Sequence, residues 1–390
     1  MCSMIKREIR HELSRLLDEY PVVSILGPRQ AGKTTLAQME LRDYDYVNLE
    51  VPENRDFAIN DPRAFLARYS QHVIIDEIQR VPELLSYIQA IVDESKLNGR
   101  FVITGSHQLE LRAAITQSLA GRVGLLYLLP LSIAELIDSG VEYKSFSESL
   151  FTGFLPRIHA ENQRPTTAWS NYYQTYVERD VRQLINLKNA SLFESFLKLL
   201  AGRAGQVINH ASLANDVGVD AKSIRNWLSI LEASFIVFKL PPYNRNFGKR
   251  LVKSPKYYFT DTGLLCFLLG IHTPEQVERD PLVGNLYENL VVIECLKARF
   301  NQGQQSNLFF FRDSNGREID LIFEKGRKLD LIEIKAGFTF TQRYLSDLRK
   351  VKSLIDQVEN AYLVFNGEPR QMSDNIHAIH TSEIKKIFTD

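Results

Sequence analysis

Residues 26–36 read LGPRQAGKTTL. Gly27, Gly32, Lys33 and Thr34 fit the spacing G-x-x-x-x-G-K-[ST], which demands a strand, a tight loop and a helix start in that order. The preceding run PVVSIL predicts a buried parallel strand, and TLAQMEL predicts a helix. The glycines let the backbone bend so that its N–H groups face phosphate oxygens, and the helix N-terminus adds a favourable dipole. Gly27, Pro28, Arg29, Gln30, Ala31, Gly32, Lys33, Thr34 and Thr35 would then wrap a nucleotide's phosphates. Lys33 would reach the β- and γ-phosphates, and the Thr34 hydroxyl would ligate Mg²⁺. An ordinary glycine-rich turn is the competing reading.

Residues 72–77, HVIIDE, form an apolar run ending in two carboxylates. Asp76 would hold the Mg²⁺ shell, and Glu77 would orient and deprotonate the attacking water. A further apolar run, FVITGS at 101–106, ends in Thr104 and Ser106, either of which could meet the γ-phosphate or the water. Candidate strands at about 21–26, 45–49, 72–76, 101–105 and 123–129, with helical stretches between, predict a doubly wound parallel α/β sheet.

The segments GPRQAGKTT, DEIQRVPELL, FVITGSHQ, SLAGRV and LPLSIAEL together resemble a bacterial and archaeal family of AAA-type ATPases whose C-terminal part is a domain of unknown function. The resemblance covers nearly the whole chain and implies ATP rather than GTP. It makes Arg122 and Arg179 candidate arginine fingers or nucleotide sensors. Each could equally be a surface or ion-paired arginine. Ring assembly with arginines supplied in trans is common in such proteins, while some relatives act as monomers, so a homo-oligomer is one candidate state.

The chain has 390 residues, enough for several domains, and its formal net charge is zero. The resemblance implies a AAA-type ATPase core over 1–130, and the residue pattern then predicts a helical lid over 131–200, a winged helix over 201–270 and a further α/β domain over 271–390. SLANDVGV and AKSIRNWLSILEAS read as two helices around Gly218, followed by the strand FIVFKL. Between 221 and 256 stand eight basic residues and one acid, Glu232, a local charge of +7 that would suit a DNA backbone. A solvated face or a protein interface would carry the same charge. Trp227 reads as core.

In the last quarter, an amphipathic helix carrying Glu288 precedes the strand NLFFFRDS and the hairpin EIDLIFEKGRKLDLIEIK. The two-residue strand period puts Asp320 on one face of the first arm and Glu333 and Lys335 on one face of the second. Two clustered carboxylates suit Mg²⁺, and a nearby lysine could position or deprotonate a water attacking a phosphodiester. Glu288 could complete the metal shell. This arrangement of helix Glu, strand Asp and Glu-x-Lys resembles the restriction-endonuclease-like superfamily, which also has catalytically idle members. The expectation is an ATPase acting on DNA with a candidate Mg-dependent nuclease site. The alternative is a nucleotide-controlled switch whose later domains only bind partners.

Three cysteines too far apart for a framework, no signal-peptide-like start and no apolar run of membrane-spanning length predict a cytoplasmic protein without membrane contact.

Overall fold

The computed structural model describes residues 5–69, 71–95, 97–105, 115, 117–185, 189–243, 253–313, 316–355, 357–372 and 375–389. Five strands build an all-parallel sheet in the order β2-β3-β4-β1-β5: β1 (Val22–Leu26), β2 (Asp45–Asn48), β3 (Val73–Asp76), β4 (Phe101–Gly105) and β5 (Val123–Tyr127). Strands β1, β3 and β4 are buried from end to end, as continuous apolar runs in a sheet covered on both faces should be. Because β1 and β3 run parallel with only β4 between them, the loop after β1 and the carboxylates after β3 emerge at the same edge.

Helices follow from Ile133 to Ala201. One of them, Pro165–Tyr172, passes into a π-wound stretch, Tyr173–Val181, and back to α-helix at Arg182–Ile185. Asn209 caps the helix His210–Val217, which ends at Gly218 in the left-handed region, φ 83°. Asp220 then caps the helix Ala221–Ala233. This is the two-helix turn that Gly218 predicted, because a C′ glycine stops a helix at no steric cost. Trp227 is buried against Phe196, with ring centroids 5.1 Å apart. The antiparallel pair β6 (Val237–Leu240) and β7 (Lys256–Phe259) completes this part. Of the predicted basic stripe, Arg245, Lys249 and Arg250 lie outside the described residues.

The last quarter holds a six-stranded mixed sheet in the order β12-β13-β11-β10-β9-β8. Strands β8 (Leu308–Arg312), β9 (Glu318–Lys325) and β10 (Lys328–Lys335) form an antiparallel meander, with Gly326 at φ 66° in the β9–β10 turn. The helix Ser346–Lys352 carries the chain to β11 (Val358–Phe365), which runs parallel to β10. Strands β12 (Arg370–Gln371) and β13 (Ile376–His380) complete the far edge.

The helix Val283–Asn301 corrects the amphipathic expectation. It is buried on nearly every side, because it is wedged between the parallel sheet, β7 and the mixed sheet. Phe300 meets Tyr127 of β5 at 5.2 Å between ring centroids. Asn289 accepts a hydrogen bond from the Phe259 N–H and donates one to the Phe259 carbonyl, both 2.8 Å, pairing the helix with β7 as another strand would. Lys297 donates to Glu294 and to the Leu131 carbonyl, both 2.7 Å, and lies over the Phe154 ring, 3.8 Å from its centroid. Glu294 in turn accepts from the Ile133 N–H at 2.8 Å. Among the described residues, no helix is long and apolar enough to cross a membrane.

Candidate functional sites

The phosphate-binding loop opens with Gly27 against β5. A Cβ there would lie 2.0 Å from the Leu128 carbonyl oxygen, so only glycine fits. Gln30 and Gly32 take positive φ, 64° and 91°, which closes the loop before the helix Lys33–Glu40. Arg7, from the segment before the first helix, braces the loop from behind. It donates to the Ala31 carbonyl at 2.8 Å, to the Leu129 carbonyl at 2.7 Å and to Glu135 at 3.0 Å. No sequence signal marked Arg7.

Lys33 is buried, and its ammonium donates to the carbonyls of Gly27 at 3.0 Å and Pro28 at 2.8 Å. Burial pulls its pKa down to about 8, against the pull of Glu77 and Asp76. The Thr34 hydroxyl lies 3.0 Å from both oxygens of Asp76. Thr104, from the intervening β4, donates to Asp76 and accepts from the Glu77 N–H at 3.2 Å. It supports the carboxylates rather than facing the cleft. Tyr46 donates to Asp76 at 2.9 Å. Burial and Asp76 raise its phenol pKa, so it stays a donor. Glu77 sits at φ 58° with its carboxylate on Gln79. A cleft of about 400 Å³ runs over the loop, lined by the polar side chains of Arg29, Lys33, Thr34, Thr35 and Glu77 and by the apolar Ile5, Met39, Leu131 and Pro156. Hydroxyl and carboxylate oxygens side by side suit a hard cation such as Mg²⁺. Ser106 lies outside the described residues.

The two candidate arginines separate. Arg122 precedes β5, at the sheet edge opposite the loop, and forms an ion pair with Asp93. It does not meet the phosphate loop of its own chain. Arg179, on the π-wound stretch, donates to Asp180 at 2.8 Å. Asp180 also holds Arg29 of the loop, and Arg29 reaches Glu50 at 3.1 Å. Arg179 therefore stands one carboxylate away from the phosphate loop.

The second cleft, about 490 Å³, lies where β9 and β10 meet β7 and the helix Val283–Asn301. The pairing of Ile332 with Leu321 puts Glu333 opposite Asp320 one step on. Lys335 lies 2.6 Å from Glu333 and 3.6 Å from Asp320, and Asp320 also accepts from the Ile334 N–H at 2.8 Å. The second oxygen of Glu333 is buried and has no hydrogen-bond partner. Burial and Asp320 push the Glu333 carboxyl up, against Lys335. Burial pulls the Lys335 ammonium down, but Asp320 and Glu333 outweigh it and leave its pKa raised. It is therefore a fixed cation here, suited to positioning a water or phosphate rather than to accepting a proton.

Glu288 corrects its predicted role. It does not close a three-carboxylate shell with Asp320 and Glu333, because Lys256 and Tyr258 of β7 hold it, at 2.9 and 2.5 Å. Lys256 also lies 2.6 Å from Glu318. Among the described residues, no three Asp, Glu, His or Cys side chains converge as a metal shell. Lys256 likewise leaves the predicted basic stripe, because it is buried in this acidic cleft. Its place in the apolar run KYYF was the signal against a surface role.

Residues 19–137 match an AAA domain, residues 143–275 a domain of unknown function (DUF8612) and residues 283–384 a second (DUF4143). An uncharacterized protein of Haemophilus influenzae is 24% identical over 364 residues, covering 85% of this chain and 87% of its own. Among solved structures, a Walker-type ATPase of Pyrococcus abyssi aligns with TM-score 0.46 at 15% identity, over 69% of this chain and 99% of its own. The RuvB Holliday junction branch migration motor of Thermotoga maritima aligns with TM-score 0.32 at 21% identity, over 61% and 90%. An uncharacterized protein of Mycobacterium tuberculosis is 32% identical over 388 residues, 98% of this chain and 85% of that one. The chain belongs to the family of that mycobacterial protein, and its amino-terminal third is an AAA-type, P-loop ATPase-like domain.

Proposed function

We propose that the protein binds and hydrolyses ATP with Mg²⁺ at its amino-terminal loop and acts on DNA through its later domains. The observation that carries the ATPase reading is the Thr34 hydroxyl 3.0 Å from Asp76, beside Lys33 on the phosphate loop. Mg²⁺ bound by Thr34 and Asp76 would neutralise charge on the phosphates. Lys33 would leave its two carbonyls for the phosphates, and Glu77 would take the proton of the attacking water. Lys33→Ala should abolish ATP binding. Glu77→Gln should retain binding and lose turnover. A lysine variant that hydrolyses ATP at the parent rate would overturn the assignment.

In this reading residues 201–270 are a winged helix, supported by two capped helices around Gly218 followed by the β6–β7 pair. Residues 271–390 are a restriction-endonuclease-like domain. Support comes from a helix, a three-stranded meander, a second helix and a parallel strand, in that order. Asp320 and Glu333 would hold a divalent cation, with Lys335 positioning the scissile phosphate or its water. The unpartnered Glu333 oxygen fits such an ion. Mg²⁺- or Mn²⁺-dependent nicking of plasmid DNA, lost in Asp320→Ala, tests this.

One observation favours a second reading, a nucleotide-controlled switch with an idle cleft. Glu288, the third carboxylate, is already engaged by Lys256. Intact ATPase activity with no nicking by the parent protein would support it.

A further inference from the structure

The second cleft is lined by five carboxylates, and four of them fall in two pairs. Asp320 and Glu333 face Lys335, whereas Glu288 and Glu318 share Lys256. The two lysines are not equivalent. Lys335 is a third exposed at its side chain and belongs to the same strand as Glu333. Lys256 is buried, lies over the Phe310 ring at 5.3 Å, and comes from β7. Its backbone position is fixed from both sides. Val207 bridges to Lys256 itself, Ile208 N–H donates to the Pro255 carbonyl at 3.0 Å, and Gly205 N–H donates to the Tyr257 carbonyl at 3.0 Å. A buried ammonium between two carboxylates at 2.9 and 2.6 Å leaves no room for a phosphate to use it. A second cation at the same carboxylates would have to displace it.

Charge points the same way. Five carboxylates, Asp347 included, against Lys256, Lys335 and Arg312 leave a deficit of two, which one divalent ion fills. The unpartnered polar oxygen that could receive it is on Glu333, in a side chain more than nine-tenths buried, within the other pair.

We propose that Lys256 is a built-in cation that occupies the Glu288–Glu318 half of the cleft and limits it to a single divalent ion at Asp320 and Glu333. This rests on the metal-binding reading of the cleft. It makes the cleft a composite of two domains, because the residue that sets its ion count comes from β7 rather than from the strands carrying Asp320 and Glu333.

The test counts Mn²⁺ ions bound to the full chain by calorimetry and electron paramagnetic resonance. A Thr34→Ala background keeps the phosphate loop out of the count. One ion is expected with Lys256 intact and with Lys256→Arg, and two with Lys256→Met, which keeps volume but removes the charge. Two ions with Lys256 intact would overturn the proposal, as would one ion in a Lys256→Met protein of unchanged circular dichroism. If Lys256→Met does not fold, the count with Lys256 intact still decides between one ion and two. Asp320→Ala should reduce the count to zero. A count of zero in the Lys256-intact protein, or one that Asp320→Ala leaves unchanged, would sink the metal reading itself rather than the role of Lys256.

Discussion

Replacing Lys297 by Met would break the seam between the amino-terminal sheet and the C-terminal domain. The Lys297 ammonium holds Glu294 and the Leu131 carbonyl at 2.7 Å each, and both it and Glu294 are buried. Met fills similar volume, so the loss is electrostatic. It strands the Glu294 carboxylate with the Ile133 N–H and removes the donor to Leu131. Removing one partner of a buried pair typically costs about 3–5 kcal/mol. At about 1.4 kcal/mol per factor of ten, that is roughly a 10²- to 4 × 10³-fold loss of local protection. A chain with several domains need not unfold in one step, so hydrogen exchange by mass spectrometry is the suitable assay. Peptides covering 129–137 and 290–300 should lose protection by that factor. Burial already raises the Glu294 pKa, and losing Lys297 raises it further. The carboxyl then folds preferentially in its protonated form, so the cost should be full above its folded pKa and shrink as pH falls toward the unfolded value. Adding Glu294→Gln should recover part of the loss. Unchanged exchange at Ile133 in the single variant would refute the view that this ion pair holds the seam.

Gly27→Ala should cost about 1–3 kcal/mol and weaken ATP binding, since its Cβ would sit 2.0 Å from the Leu128 carbonyl oxygen; a thermal shift series with and without nucleotide would show it. Burial raises the Asp261 pKa from 3.8 to about 6, although it caps Gly263 and Phe154. The folded state therefore favours its proton, and stability falls as pH rises from about 4 to 6, by roughly 3 kcal/mol from this group. The stability difference between the parent and Asp261→Asn, from denaturant titrations at several pH values, should change by that amount across the window and be flat above it. If Arg179 acts within its own chain, Arg179→Ala should lower kcat of ATP hydrolysis by at least tenfold at every protein concentration. An Arg122→Ala loss that appears only at concentrations where copies associate would instead mark a finger supplied in trans.

Strands β1, β3 and β4 of the parallel sheet were legible because their apolar runs are continuous and end in turn residues, and the loop was legible because phosphate binding constrains residue type at fixed spacing. Asp320, Glu333 and Lys335 were legible because strand period and a short turn bring them together locally. Arg7, Tyr46, Asp180 and Lys256 were not. Each meets its partner across a long sequence interval, through packing that no local period encodes. Lys256 shows the difficulty most plainly. Its charge placed it in a basic run, while its apolar strand neighbours carried it inward to acids on another domain. The long helix was misread for a related reason, because its pattern could not reveal that three layers close around it.

The π-wound stretch Tyr173–Val181 has a mechanical consequence. Such a turn holds one residue more than an α-turn, so it is a dislocation in an otherwise regular rod. The clasp that joins Arg179 and Asp180 to Arg29 of the phosphate loop therefore stands on a wider turn than the α-helical segments Pro165–Tyr172 and Arg182–Ile185 on either side of it.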